Sequence, residues 1–548
     1  MSPRPAPAHL VAHQEEDRVT APTSLPLTLP WLLATAADEV PDRVAIVEGE
    51  VELTYAGLAA AVDEVARALA ARGVQPGDRV AIWASNSIRW AATALAVAAN
   101  DAVLVTLNTR YKGAEAAYVI TRSRARLCFV DDGFLDTNYS EMLRKVGLAD
   151  LDLVTIGDAP SESTAWTEFL AAGADVDPAL IAQRTAALDH QAMADLMFTS
   201  GTTGEPKGVM TGHAANIAVY EAWADMIGLT SADRYLLVNP LFHAFGYRAG
   251  LIAALVVRIP LFLLPTFEPV AAMELIESRA ITFLPGAPAI YTTLLDHPER
   301  HRFDLSSLRL VVTGAAVVPM ELIRRVRVEL GVETVVTAYG QTEATGTITV
   351  CPPAAPDEKI SRTAGVAIPG VEVRVIDKSG AVLPPGAPGE ILSRGYNTML
   401  GYLDDPAATA ATIDEDGWLH TGDVGFLDEE GYLTITDRIK DMFTVGGFNV
   451  YPAEVERCLM LHPSVLDSAV VAVEDARLGE VGRAHVILRA GVEPTDETRA
   501  VLLAHCRENL ANFKVPRSVF FTDALPRNPS GKVQKFRLTE SSQESTHG

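Results

Sequence analysis

Between about residue 30 and residue 395 the chain alternates short β-branched apolar runs with longer segments of helical spacing, which restricts the fold more than any other feature. Residues 58–72 carry apolar side chains at helical intervals. Residues 79–83 form a strand-like run, 88–99 return to helical spacing, and 102–107 are again a short buried run. Further along, 308–313 predict a central strand, 319–330 a helix opened by Pro319, and 335–339 the next strand. Apolar runs separated by helices belong in parallel sheets covered on their faces. The expectation is an α/β fold whose large N-terminal domain consists of parallel sheets packed with helices.

The pattern changes after Gly365. A strand-like run at 371–376, a Pro/Gly cluster at 384–389 and a second run at 389–392 predict a small β-subdomain over about 365–437. Beyond Asp437, strand-like 468–473 and 484–488, a helix at 497–510 and a strand at 518–522 predict a small, mobile α+β C-terminal domain, residues 441–548. A hinge is expected at Arg438-Ile439-Lys440. Residues 1–26 are rich in Pro, Ala, Ser and Thr and lack an apolar signal core, so they are expected to be a disordered leader before a domain at 27–437.

Charge and cysteine usage exclude several functions. A net charge of −25 argues against a broad nucleic-acid or anionic-membrane surface, so an anionic ligand needs a locally positive site. Cys128, Cys351, Cys458 and Cys506 are far apart and form no C-x-x-C pair, which fits a reducing cytoplasm. The apolar stretch 249–257, flanked by Arg248 and Arg258, falls well short of the roughly 20 residues a membrane span needs and reads as buried core.

Chemistry enters at Phe198-Thr199-Ser200-Gly201-Thr202-Thr203-Gly204-Glu205-Pro206-Lys207-Gly208. Hydroxyls, glycines that let backbone N–H groups approach, and one lysine suit a polyphosphate. A Walker loop is excluded, because Pro206 precedes Lys207 and Gly208 follows it. A solvated surface turn is the bland alternative.

Other segments carry weaker signals. In Tyr339-Gly340-Gln341-Thr342-Glu343, placed at a strand end, Tyr339 can stack on a base, Thr342 can bond a phosphate and Glu343 can ligate Mg²⁺; an ordinary turn is the alternative. Asp423, beside Gly422, can accept hydrogen bonds from ribose hydroxyls, although Gly-Asp is also a common hairpin pair. Arg438 and Lys440 belong to a charged run that precedes the Gly446-Gly447-Phe448 turn. Lys532 lies on a tight turn near the C-terminus, where lysines are usually just exposed. His243 interrupts an apolar region; it is a candidate catalytic imidazole or a satisfied core residue.

In this order and spacing, the segments resemble the adenylate-forming superfamily of acyl-CoA synthetases, luciferases and peptide-synthetase adenylation domains, over nearly all of residues 30–540. The resemblance implies ATP, Mg²⁺ and coenzyme A as co-substrates and cofactor. By it, Thr199 to Gly208 orient pyrophosphate, Gly314-Ala315-Ala316 and Tyr339 to Thr342 hold adenine and α-phosphate, and Glu343 holds magnesium. Asp423 and Arg438 are implied ribose contacts, Lys440 the pivot, Lys532 the adenylation lysine, and Gly446, Gly447 and Phe448 the lining of a pantetheine tunnel. No carboxylate stands in 243–246 to receive an α-ammonium, so a plain carboxylic acid is implied rather than an amino acid. Residues 239–250, 284–291 and 511–514 are similar to actinobacterial ligases acting on the indane-dione propanoate of steroid-ring degradation, while Ala244 and Gln341 depart from that group. A medium- or long-chain fatty acid is the second reading and an aryl acid the third. Loading of a carrier protein is the alternative acceptor, and a homodimer is compatible with the chain.

Overall fold

A computed structural model describes residues 27–158, 163–200, 205–314, 318, 320–438, 443–450, 452–526, 533, 535 and 538. Its largest sheet has seven strands in the order Gly401–Tyr402, Pro206–Gly212, Met193–Ser200, Val103–Thr106, Arg79–Trp83, Leu127–Val130, Asp152–Thr155. The five strands from Met193–Ser200 to Asp152–Thr155 are parallel, as the alternation predicted. Pro206–Gly212 pairs antiparallel with Met193–Ser200, and Gly401–Tyr402 antiparallel with Pro206–Gly212, so the sheet is mixed. The reason is chain length. A parallel return needs a crossover of a dozen or more residues, and only residues 201–205 separate Met193–Ser200 from Pro206–Gly212.

A second layer is built from Val51–Thr54, Val44–Glu48, Leu261–Leu263 and Tyr235–Leu237, linked by single bridges through Phe283 to Leu310–Gly314 and its neighbours. Apart from Arg89, every residue of the helix Ile88–Ala99 is buried, because six of its residues are alanine and admit close neighbours. Ser87 caps it by accepting from the Trp90 N–H, and Thr54 caps Tyr55–Ala71 by accepting from Gly57. Trp83, Trp90 and Trp223 lie fully buried in this core.

Residues 371–438 form a four-stranded antiparallel sheet, and residues 443–521 a five-stranded sheet flanked by Pro452–Met460 and Asp496–Asn509. All four cysteines are buried and none of them forms a disulfide. No helix among the described residues is long and apolar enough to cross a membrane.

Arg248, which flanks the apolar stretch in the sequence, is itself in the core. Its Nη2 donates to Asp195 Oδ1 at 2.6 Å and to Thr211 Oγ1 at 2.7 Å, and both charged side chains are fully buried. Asn216 donates to the other Asp195 oxygen at 2.6 Å. Breaking such a pair strands a charge in a dry site. Asp195→Ala is therefore expected to lower unfolding stability by about 3–5 kcal/mol. Denaturant unfolding checks this, and a loss below about 1 kcal/mol would show the guanidinium to be solvated.

Candidate active site

The hairpin of Met193–Ser200 and Pro206–Gly212 brings Thr199 opposite Lys207, at the C-terminal end of the parallel strands where ligands of α/β sheets sit. Lys207 Nζ lies 4.9 Å from the centroid of the Tyr402 ring. Gly201, Thr202, Thr203, Gly204 and the Ser200 side chain lie outside the described residues.

The strand Thr334–Tyr339 ends beside this hairpin. A Cβ at Gly340 would stand 2.3 Å from the Gly346 carbonyl oxygen, so the turn requires glycine. Thr342–Ala344 then form one 3₁₀ turn that points Glu343 at the hairpin. Glu343 Oε1 accepts from Thr199 Oγ1 at 3.3 Å and from Tyr402 Oη at 3.0 Å. Gln341 precedes the turn in extended conformation, with no side-chain capping hydrogen bond. Tyr402, 59 residues away in sequence, was not singled out by sequence reasoning, and no local pattern marks it.

Tyr339 Oη donates to Asp423 Oδ2 at 2.6 Å, joining the second layer to the 371–438 sheet. Asp423 is buried and pairs in register with Arg438, whose side chain lies outside the described residues. Gly314 ends Leu310–Gly314, where a Cβ would meet the Ala338 carbonyl oxygen at 2.7 Å. Ala315, Ala316, Lys440 and Lys532 lie outside the described residues.

His243 lines a cleft together with Thr199, Thr342, Phe448 and Phe513. Its Nδ1 accepts from the Phe245 N–H at 3.2 Å, which leaves the ring proton on Nε2. The ring is exposed at the cleft, where the surrounding protein and the Arg248 guanidinium lower its pKa. His243 is thus both a local cap and a wall of the cleft.

The Gly446-Gly447-Phe448 turn also reaches this cleft. Gly446 and Gly447 hold φ of +56° and +86°, the left-handed region that favours glycine. Phe448 stacks on Phe513 with ring centroids 4.8 Å apart, and these two rings separate the first cleft from a second. Three guanidinium groups line that second cleft, from Arg110, Arg477 and Arg517. Arg110 lies 5.6 Å from the centroid of the Phe448 ring. In a chain of net charge −25 this is a local positive site suited to phosphate.

Among the described residues, no group of three or more His, Cys, Asp or Glu side chains is placed to hold a metal. Mg²⁺ is commonly held by one or two carboxylates plus substrate phosphates. Glu343, a hard carboxylate beside the Thr199 hydroxyl, is the residue that would hold it.

Residues 33–403 match the AMP-binding enzyme family and residues 454–532 the AMP-binding enzyme C-terminal domain. The 3-[(3aS,4S,7aS)-7a-methyl-1,5-dioxo-octahydro-1H-inden-4-yl]propanoyl:CoA ligase of Rhodococcus jostii is 45% identical over 94% of this chain and 99% of its own length. The ligase of the same name from Mycobacterium tuberculosis is 46% identical, covering 94% and 98%. A mitochondrial medium-chain acyl-CoA ligase of Homo sapiens is 33% identical, covering 94% and 87%. Among solved structures, o-succinylbenzoate CoA synthetase from Bacillus subtilis, bound to a product analogue, superposes with a TM-score of 0.78 at 28% identity, covering 93% and 98%. ATP-bound MatB from Rhodopseudomonas palustris gives 0.67 at 32% identity, covering 94% and 99%.

Proposed function

The chain belongs to the AMP-binding enzyme family, and we propose that it is an ATP-dependent acyl-CoA ligase acting on the bicyclic indane-dione propanoate left by steroid-ring breakdown. Identity of 45–46% along almost the whole chain to two ligases named for that acid, against 33% for the medium-chain ligase, supports the choice of acid. A medium-chain fatty acid is the second reading, favoured by those more distant relatives.

One observation carries the coenzyme A half of the reading. The two aromatic rings Phe448 and Phe513 stand between the cleft holding Thr199, Thr342 and His243 and a cleft rimmed by three arginines. A phosphate-bearing thiol held by the arginines would have to pass those rings to reach an acyl group at Thr342. Superposition points the same way. The chain fits the CoA-product-analogue structure better than the ATP-bound one, although it is less identical to it. That supports an arrangement belonging to thioester formation, with the C-terminal unit turned about residues 438–440.

The mechanism is then one of charge. ATP and a carboxylate repel each other, and Mg²⁺ bound at Glu343 would offset that repulsion. Thr199 and Thr342 supply hydroxyls to the phosphates, Asp423 accepts from ribose, and Tyr339 fixes Asp423 through its 2.6 Å hydrogen bond. Lys207 and Lys532 supply positive charge, and Lys532 is assigned to the α-phosphate. The acid oxygen attacks the α-phosphorus, pyrophosphate leaves, and the acyl-adenylate is handed to the thiol, with AMP released. An alkyl thiol with a pKa of about 8.5 already provides some thiolate against so reactive an anhydride. The enzyme is expected to act in the cytoplasm, with no nucleic-acid partner.

Pyrophosphate release measured over a panel of acids tests this reading. The indane-dione propanoate, octanoate, decanoate and benzoate would each be tried with and without coenzyme A. The indane-dione acid is expected to give the highest kcat/KM and to yield its CoA thioester. Preference for octanoate would move the assignment to the medium-chain class, and adenylate accumulation without thioester would point to a carrier protein as acceptor.

A further inference from the structure

The wall between the two clefts is anchored by a buried ionic cluster. Lys514, next to Phe513, donates from Nζ to Glu115 Oε1 at 2.8 Å and to Glu454 Oε1 at 2.7 Å. Its Nζ also lies 4.9 Å from the centroid of the Tyr111 ring. Only 5% of the Lys514 side chain, 11% of Glu115 and 4% of Glu454 are exposed. Glu115 sits in the first turn of Gly113–Ser123, where its Oε2 accepts the Lys112 backbone N–H at 2.9 Å. Glu454 sits in the first turn of Pro452–Met460.

The cluster is charge-unbalanced in a specific way. Lys514 and Glu454 both lie beyond residues 438–440 and together are neutral. Glu115 comes from the large N-terminal part, 399 residues from Lys514, and adds a second carboxylate when the two parts meet. Burial raises the Glu115 carboxyl above its ordinary range; Lys514 opposes that shift and Glu454 adds to it. Lys514 is held above its usual value by Glu454 and Glu115, in spite of burial. Glu454 Oε2 is buried with no hydrogen-bond partner. The contact is therefore strong through the ammonium and strained by carboxylate repulsion, as suits a contact that must form and break in every cycle.

We propose that Lys514 is a positioning residue for thioester formation. It clamps the C-terminal unit onto Glu115 so that Phe513 and Phe448 stand in the cleft, and Glu454 weakens the clamp enough to let it release for adenylation. This rests on the ligase reading. Three variants of the full chain test it, Lys514→Met, Lys514→Arg and Glu454→Gln. Each is assayed for acid-dependent ATP–pyrophosphate exchange and for single-turnover transfer from preformed acyl-adenylate to coenzyme A, with the indane-dione propanoate and octanoate as acids.

Without the ammonium, docking would bury two facing carboxylates. Lys514→Met should therefore lower transfer relative to exchange by at least about 50-fold. Lys514→Arg, which keeps the charge, should recover part of that ratio. Glu454→Gln leaves a balanced Lys514–Glu115 pair and favours docking, so it should shift the ratio the opposite way, by about fivefold toward transfer. A purely structural role would depress both half-reactions together in all three variants. That pattern, or an unchanged ratio in Lys514→Met, overturns the clamp. If Lys514→Met does not fold, the direction of the Glu454→Gln shift decides alone. Failure of the wild type to exchange pyrophosphate or to form thioester with either acid overturns the ligase reading, and the clamp with it, and is seen before any variant is made.

Discussion

Replacing Glu343 with alanine is expected to slow acid-dependent ATP–pyrophosphate exchange by about 10³-fold, while transfer from preformed acyl-adenylate to coenzyme A stays within about tenfold of the wild type. The asymmetry follows from where charge accumulates. Adenylation brings a carboxylate onto a triphosphate, and Glu343 is the described carboxylate placed beside Thr199 to hold the offsetting cation. The second half-reaction starts from a mixed anhydride that carries far less charge. Alanine also removes the acceptor shared by the Thr199 and Tyr402 hydroxyls, so the loss needs to be divided between charge and positioning. Glu343→Gln does this, since it keeps an acceptor oxygen and loses the charge. Exchange as slow in glutamine as in alanine assigns the effect to the cation. Near-normal exchange in the glutamine variant would leave Glu343 as a positioning acceptor only.

Local chemistry was legible in the sequence, and contacts between distant segments were not. Apolar periodicity located the central strands because burial on both faces leaves a compositional mark. It did not show that Pro206–Gly212 turns back antiparallel, a consequence of loop length. Tyr339, Thr342 and Glu343 were recognisable because one short turn holds them together. Tyr402 carries no such mark, because its pairing with Glu343 is made by the sheet. Arg248 read as a flanking charge, since nothing in its neighbourhood announces that Asp195 waits for it. Glu115, Glu454 and Lys514 each look like ordinary solvated residues on or beside a helix, and only folding brings them together. His243 illustrates the opposite case. It was read as a catalytic imidazole or a core residue; it lines the cleft, and its Nδ1 is already committed to the Phe245 N–H.

The complementary half-reaction is isolated at Gly447. Valine there is expected to slow acyl transfer to coenzyme A by about 10²-fold while slowing ATP–pyrophosphate exchange by no more than about threefold. Gly447 holds φ of +86°, where a Cβ clashes with its own backbone and a β-branched side chain is worst placed. The Cβ itself would stand 3.4 Å from the Ala287 Cβ, at ordinary contact, so the added methyls have to find room against the large domain. Both penalties apply when the turn is seated at the cleft. In the proposed adenylation arrangement the turn would have swung away, leaving only the backbone strain, which a solvated turn can relax. Gly447→Ala keeps the strain and removes the crowding, so its transfer rate should lie between those of the valine variant and the wild type. Stopped-flow transfer and exchange assays on the same preparations separate the outcomes. Equal loss of both half-reactions in the valine variant would mean that Gly447 serves the folding of the C-terminal unit, and that the seating of Phe448 in the cleft does not control access of the thiol.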